Sequence, residues 1–478
     1  MGFIEDINGK INSFVWGPVM LVLIVGVGIY LTVRTGFFQA RGFGTWWKNT
    51  IATLLRKDRA KTAGHGALTP FQALSTALAA TVGTGNVVGV ATAIVSGGPG
   101  AVFWMWISAF FGMMTKYSEI TLALHYRERN EKGEWVGGPM YYISRGLGKN
   151  FNWLAALFAL FGSLCCFGIG NIAQINSIVS SVESTFANFG LVEVSDGFSA
   201  FRLGLGVVLA GLSALVIIGG LKRIGRVTEM LVPVMCVLYI LGGLVALTLN
   251  AERLPEAFGA IFAGAFSTKA FGGGLLGYVV FRAMRFGIAR GVFSNEAGLG
   301  SAPIAHAAAE QDVAVKQGFW GIFEVFVDTI IICTFTALII LTSKIDGVLS
   351  IHETPLWNGS QLTMKAFEQT FGIGGSVLLS VALSLFAYST VLSWSLYGQR
   401  CFAYLTKGRG VLPFQIVFVA MIVVASVLSL KLVWDVADTL NGLMAIPNLI
   451  GLILLSPVVF KLTKEYAESV RAEKRLKA

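Results

Sequence analysis

Apolar runs long enough to cross a bilayer recur along almost the whole chain, and no other feature constrains the fold so strongly. The first of them, WGPVMLVLIVGVGIYLTV from Trp16 to Val33, contains no charged residue. A hydrocarbon core offers no water to backbone groups, so a run of this length reads as a spanning helix. Composition agrees: of 478 residues, 55% are hydrophobic and 13% charged, the profile of a polytopic membrane protein. The segment ahead of the first run carries Glu5, Asp6 and Lys10. It lacks both a basic leader region and a small-residue cleavage site, so the run reads as a retained span and not a signal peptide. The five cysteines, including adjacent Cys165 and Cys166, all fall in apolar runs without a CxxC or Cys/His spacing, and read as buried thiols.

Eleven spans are expected, at approximately 14–34, 68–95, 100–125, 151–180, 200–220, 227–249, 272–300, 318–343, 375–403, 411–430 and 434–460. With the N-terminus placed outside, alternation puts most of the 36 lysines and arginines in the inner segments. These include Arg34, Arg41, Lys48, Arg56, Lys57, Arg59 and Lys61 ahead of the second span, and the tail from Lys461 to Lys477. The C-terminus is therefore expected in the cytoplasm of a cell of prokaryotic type, facing an inner membrane. The net charge of +10 describes topology and not nucleic-acid binding. If the first helix is peripheral, two groups of five spans remain, starting from opposite sides of the membrane, as in the inverted repeats of secondary transporters. The expected fold is all-α: a peripheral N-terminal helix and cytoplasmic segment (1–67), a first five-helix repeat (68–249), a second (250–460) and a basic tail (461–478).

Glycine is concentrated in the first span of each half, ALSTALAATVGTGNVVGVATAIVSGG and GGGLLGYVVFRAMRFGIARGVFSNEAG. Backbone that leaves the helix at mid-membrane is tolerated only where protein or a water-filled cavity surrounds it. There it exposes carbonyls that bind a cation and N–H groups that bind a carboxylate. Gly83 and Gly85 permit unwinding and close approach, and Thr84 and Asn86 add side-chain oxygens. The competing reading is that the glycines merely let helices pack closely.

Charges inside spans need partners. The expected pairs are Arg285 or Arg290 with Glu324 or Asp328, and Lys116 with Glu119 at i and i+3. TWWKNTIATLLRKDRAK, from Thr45 to Lys61, mixes aromatic and basic residues and reads as an amphipathic helix on the cytoplasmic membrane face. GGPMYYISRGLG, from Gly137 to Gly148, reads as a turn-rich segment with a short in-plane helix.

Three stretches carry a family resemblance. GGPGAVFWMWISAFFG (Gly97 to Gly112), GTGNVVGVATAI just before it, and RGVFSNEAGLGSAPIAHA (Arg290 to Ala307) resemble blocks of the alanine or glycine:cation symporter family. The resemblance extends over essentially the whole chain. It implies sodium-driven uptake of small neutral amino acids such as alanine and glycine on the leucine-transporter-type fold. In that fold Thr81 and Val82 would offer carbonyls, while Thr84, Gly85 and Asn86 would meet the substrate carboxylate or a sodium ion. Ala387, Ser389 and Thr390 would face Ala79 and Val82 around a second sodium site. The bland alternative for Ser389 and Thr390 is a hydroxyl bonded back to its own helix. Trp394, one turn beyond Thr390, is the candidate aromatic wall of a small pocket. Gln174 is the favoured polar contact from FGIGNIAQINS, with Asn171 beside it, and Met284 and Phe286 are candidate pocket walls.

Such a machine needs no cofactor beyond sodium as coupling ion, and its partners are a small neutral amino acid, sodium and the lipid bilayer. One sodium entering across ~100 mV releases ~2.3 kcal/mol and a tenfold gradient adds ~1.4, enough for a neutral-solute gradient of several hundredfold at ~1.4 kcal/mol per tenfold step. No GxxxxGK[ST] phosphate loop offers another energy source. The alternatives are a cation-coupled carrier of another small solute on the same fold, and a channel, which would need a filter motif or pore that the sequence does not display. An enzyme is disfavoured, because His65, His125, His306 and His352 are dispersed and neither HExxH nor GxSxG occurs.

Overall fold

The computed structural model describes residues 2–54, 64, 66–195, 197–266, 274–350, 356–357, 359–428 and 431–477. Its helices are α1 Gly2–Val15, α2 Pro18–Arg34, α3 Phe43–Asn49, α4 Pro70–Thr81, α5 Val90–Gly97, α6 Ala101–His125, α7 Pro139–Gly146, α8 Asn152–Phe167, α9 Ala173–Asn188 and α10 Ala200–Ile217. There follow α11 Gly220–Leu249, α12 Leu254–Phe266, α13 Gly274–Asn295, α14 Ala302–His306, α15 Ala314–Val325, α16 Thr334–Thr342, α17 Gly359–Phe371, α18 Ile373–Thr406, α19 Val411–Val427 and α20 Lys431–Lys477. The one sheet among the described residues is a two-stranded hairpin that pairs Glu128 with Val136 and Arg129 with Trp135.

Among the described residues, seven helical stretches are long and apolar enough to cross a membrane, and α4 with α5 makes an eighth if that bent pair is one span. The protein is thus an all-helical, multi-pass membrane protein. Burial separates its helices into two kinds. Only 28% of the apolar windows of α10 and α11 is buried, and Val207, Leu212, Leu215, Met230 and Val237 point outward, as lipid-facing residues must. In α18 the buried share is 67%, so this helix runs through the interior.

The first broken helix begins cleanly. Thr69 Oγ1 accepts from the Gln72 N–H and Gln72 Oε1 accepts from the Thr69 N–H, both at 3.1 Å, with Pro70 at the first helical position. It ends where Val82 turns extended (φ −77°, ψ 90°), and the chain resumes after a 46° bend. Among the described residues, three wide, π-type turns interrupt the helices, at Gly85–Gly89, Gly168–Ile172 and Phe326–Cys333. Such turns commonly mark functional sites.

The other glycine-rich span, also expected to be broken, is unbroken where it is described. Among the described residues, α13 is continuous to Asn295, and the chain then turns through Glu296 (φ 55°), Gly298 (φ 94°) and Gly300 (φ 82°) before α14. Gly287 and Gly291 lie inside the helix and serve packing instead. A Cβ at Gly287 would lie 2.3 Å from the Ala101 carbonyl, and one at Gly291 would lie 2.4 Å from Ser108 Oγ. The broken helix is tied at its start to the chain after α14: the Leu68 N–H donates to the Ala308 carbonyl (2.8 Å) and the Glu310 N–H to the Leu68 carbonyl (2.7 Å).

Of the segment read as amphipathic, Phe43–Asn49 and a single turn at Ile51–Leu54 are helical, and 55–63 lies outside the described residues. His65 and His352 also lie outside them. A short helix does occupy Pro139–Gly146. All five cysteines are free, four of them buried.

Candidate functional site

The break after α4 is stitched by one side chain. The Gly83 N–H donates to Asn86 Oδ1 at 2.9 Å, so the amide closes the turn that the helix abandons. Fixed this way, the Asn86 Nδ2 points across to the Phe326–Cys333 turn and donates to Asp328 Oδ1 (2.7 Å) and to the Asp328 carbonyl (3.1 Å). Ser294 Oγ, from the last turn of α13, donates to Asp328 Oδ2 at 2.9 Å, and Thr329 Oγ1 to the same oxygen at 2.8 Å. Asn86, Ser294 and Asp328 are each fully buried. Among the described residues, no Lys, Arg or His comes within ion-pair distance of Asp328. A carboxylate so placed carries three neutral donors and no counter-charge.

On the other flank of the break, Thr390 Oγ1 from α18 donates to the Ala79 carbonyl at 2.9 Å and to the Phe386 carbonyl at 3.0 Å. Ser389 Oγ donates to Phe386 at 2.9 Å and reaches Ala79 at 3.4 Å. Both the back-bond to the helix and the bond across to the break therefore exist. A Cβ on Gly83 would sit 2.6 Å from Thr390 Oγ1, so glycine is needed for this approach. Ala79, Val82 and Ala387 are buried beside them. Thr81, by contrast, turns its hydroxyl to the Ala77 and Leu78 carbonyls of its own helix.

Thr84 is buried and its hydroxyl has no partner among the described residues. It lines a cavity of about 180 Å³ with Val88, Thr92, Phe293 and the Arg290–Asp438 pair, whose charged atoms stand 3.8 Å apart. Gly85 lies where a Cβ would be 3.2 Å from the Ser294 backbone, so the chain after the break packs closely on the last turn of α13.

Trp394 is fully enclosed. Its Nε1 donates to Glu296 Oε1 at 3.2 Å, its ring meets Tyr397 edge-on at 5.6 Å, and a Cβ at Gly170 would lie 2.2 Å from its own Cβ. Glu296 also accepts from Ser301 Oγ. Gln174 donates to the Ile169 carbonyl at 3.0 Å and leaves Oε1 unpartnered, while Asn171 donates to the Phe418 carbonyl at 2.7 Å. Met284 and Phe286 stand about three helical turns before the end of α13, Phe286 against Gly97 at the end of α5, apart from the Thr84–Asn86 group.

The charge pairing differs from the expected one. Arg290 meets Asp438, Arg282 donates to the Ser96 carbonyl at 2.6 Å, and Arg285 lies over the Phe286 ring at 5.6 Å. Glu324 pairs instead with Lys116 Nζ at 3.2 Å and with His306 Nε2 at 3.3 Å, and Gln317 holds the other histidine nitrogen at 2.8 Å. Lys116 reaches α15 because Gly321 there leaves room for its stem. Glu119 does not pair with Lys116. It accepts from the Gly298 N–H (3.1 Å) and Asn448 Nδ2 (2.6 Å), and so supports the turns after α13. Sequence reasoning named Asp328 as a salt-bridge partner and passed over Ser294. The signal that could have found both was the proximity of polar residues to the break and to the end of α13.

Comparison with known proteins bears on this geometry. The profile described as the Sodium:alanine symporter family matches residues 1–478. The chain is 46% identical over 473 residues to Sodium/alanine symporter AgcS from Methanococcus maripaludis, covering 98% of each. It is 37% identical over 466 residues to Amino-acid carrier protein AlsT from Bacillus subtilis, covering 96% of this chain and 92% of that one. Among solved structures, MhsT in complex with L-phenylalanine matches with a TM-score of 0.55 over 84% of this chain and 99% of that chain, at 12% identity. That likeness shows the fold alone, which is of the leucine-transporter type.

Proposed function

The chain belongs to the sodium:alanine symporter family, and from that premise we propose that it takes up alanine and related small neutral amino acids with sodium by alternating access around the broken helix and the turns after α13. It is a sodium-coupled amino-acid symporter and not an enzyme. The observation that carries the proposal is the contact of Thr390 Oγ1 with the Ala79 carbonyl at 2.9 Å. Hydroxyl and carbonyl oxygens, brought together where a helix stops, are the ligands a hard monovalent cation takes.

One sodium ion is assigned to that flank, held by the Ala79, Val82 and Ala387 carbonyls with the Ser389 and Thr390 hydroxyls. A second is assigned to the opposite flank, where Asn86 meets Asp328 near Thr81. The support is electrostatic: an ionised carboxylate inside a membrane is expensive unless a cation neutralises it. The Asp328 carboxylate accepts three hydrogen bonds and, among the described residues, has no cationic side chain within ion-pair distance. A transported sodium ion would supply the missing charge.

The amino acid is assigned to the space beside Thr84, Gly85 and Asn86, with Gln174 and Trp394 toward it from α9 and α18. The unpartnered Thr84 hydroxyl and Gln174 Oε1 support this, since buried polar atoms without partners are costly and suit a polar ligand. Met284 and Phe286 are kept as candidate walls, with Phe286 against Gly97 at the end of α5.

The assigned topology has eleven spans: the eight apolar stretches together with α6, α13 and α19. The N-terminus is outside and the C-terminus cytoplasmic. The spans of 68–249 and 250–460 form inverted repeats, with 1–67 peripheral and 461–478 a basic tail. The test is uptake of labelled alanine into proteoliposomes under an inward sodium gradient or a matched potassium gradient. Accumulation with sodium alone is expected. Uptake with neither ion, by folded protein, would overturn the assignment of alanine as substrate.

A further inference from the structure

The helix α3 sits at the end of the bundle where α6 finishes and α15 begins, and it is two-faced. Trp46 is buried, with Nε1 donating to the Gln39 carbonyl at 2.9 Å and its ring 6.2 Å from that of Phe326. This anchors the helix to the core. Phe43 and Trp47 face away, 48% and 37% exposed, and their rings stack at 5.3 Å. An exposed aromatic shelf on a membrane protein, beside basic side chains, suits the boundary between acyl chains and headgroups.

Beside the shelf lies a groove of about 930 Å³, bounded by α3, the end of α6, the start of α15 and the late turns of α20. Arg41, Lys48 and Lys316 line it. Among the described residues, none of these three side chains makes an ion pair or a hydrogen bond. That is unlike the other basic side chains of the bundle that are held by partners: Lys116 by Glu324, Arg202 by Glu183 and Arg400 by Glu134. The groove also contains hydroxyls and two carboxylates, Asp312 and Glu465, which can accept from a ligand's own hydroxyls.

We propose that this groove binds the headgroup of an anionic phospholipid with a polyol head, such as phosphatidylglycerol. Arg41, Lys48 and Lys316 would take the phosphate, and Asp312 or Glu465 the glycerol hydroxyls. Phe43 and Trp47 would lie along the start of the acyl chains. Basic pockets between membrane helices recognise anionic headgroups in this way, and each basic residue near the surface adds to the attraction. The aromatic shelf favours a lipid over a free phosphate ester, which would have no use for it. The inference depends on membrane embedding and is independent of which solute is carried.

The experiment is binding of phosphatidylglycerol, phosphatidylcholine and soluble glycerol phosphate to full-length protein in neutral detergent, read by native mass spectrometry and by the shift in thermal unfolding midpoint. Phosphatidylglycerol is expected to bind preferentially and raise the midpoint, with glycerol phosphate ineffective at equal concentration. Neutralisation as Arg41→Gln, Lys48→Gln or Lys316→Gln is expected to weaken lipid binding roughly fivefold each, the factor that corresponds to ~1 kcal/mol per charge. The pair Lys48→Arg and Lys316→Arg keeps the charge and is expected to keep the binding, which separates loss of a ligand from loss of fold. Equal affinity for the two lipids, an equal response to glycerol phosphate, or undiminished binding by the triple glutamine variant would overturn the proposal.

Discussion

Asn86 and Asp328, 242 positions apart in sequence, meet at 2.7 Å, with the asparagine amide on the carboxylate and its carbonyl oxygen holding the Gly83 N–H. One side chain thus reports the state of the carboxylate to the backbone at the break. Any cation that enters beside Asp328 competes with the Asn86 amide for it, and so acts on the turn that adjoins Thr84.

This relationship makes Asp328→Asn informative. The substitution keeps size and much of the hydrogen bonding but removes the charge. Hydrogen bonds to charged groups contribute about 1.5–3 kcal/mol. The sodium concentration that half-activates alanine uptake should therefore rise roughly ten- to a hundredfold. Initial rates in proteoliposomes across a sodium series measure it. An unchanged half-activating concentration would remove Asp328 from the cation site.

On the other flank, Thr390→Ala deletes the hydroxyl that reaches the Ala79 carbonyl, while Thr390→Ser retains it. Sodium activation is expected to weaken about tenfold in the alanine variant, for the loss of ~1.4 kcal/mol, and to change little in the serine variant. Equal behaviour of the two would show that the hydroxyl is structural only.

Gly170→Ala places a methyl 2.2 Å from the Trp394 Cβ, in contact with a side chain that cannot retreat because Glu296 holds its Nε1. Overpacking of this kind costs about 1–3 kcal/mol. A lowered midpoint of thermal unfolding in detergent is expected, together with weaker alanine uptake. Trp394→Ala should act differently and widen the range of amino acids accepted, which competition uptake with larger side chains measures.

The buried pair of Lys116 and Glu324 supplies a stability test. Lys116→Met leaves Glu324 ionised in the interior with His306 as its remaining partner, a loss of about 3–5 kcal/mol for such pairs. Lys116→Met combined with Glu324→Gln removes both charges and should regain much of the difference. Thermal unfolding of the single and double variants decides it, and a double variant less stable than the single one would show that the pair does not interact as a unit.

Much of this was legible in the sequence. The expected spans at 100–125, 200–220 and 375–403 coincide closely with α6, α10 and α18. The GTGN stretch marked the first break within two residues, because there an asparagine stands with the glycines and can replace the lost helical hydrogen bond, as Asn86 does for the Gly83 N–H. Ser389 and Thr390 were singled out, from a helix with many other hydroxyls, only through the family resemblance, and the structure places both within 3.4 Å of the Ala79 carbonyl. The other glycine-rich span, also read as broken, runs as one helix from Gly274 to Asn295, and the irregular turns follow it at Glu296, Gly298 and Gly300. Glycine that unwinds a helix and glycine that lets helices touch look alike until a neighbour is present, as Gly287 and Gly291 demonstrate against Ala101 and Ser108.

The sequence by itself determined that the chain lives in a membrane, which stretches are helical and where the first helix fails. Those are local properties, sums of transfer energies and backbone preferences over neighbouring residues. Only the tertiary structure decided that Arg290 answers Asp438, that Lys116 answers Glu324, and that Asp328 is left with Asn86, Ser294 and Thr329 and, among the described residues, no ion-pair partner. Each of those choices is made between helices distant in the chain. In a low-dielectric interior the partner of a charge is whichever group the helix packing brings within a few ångströms, and spacing along the sequence does not fix that.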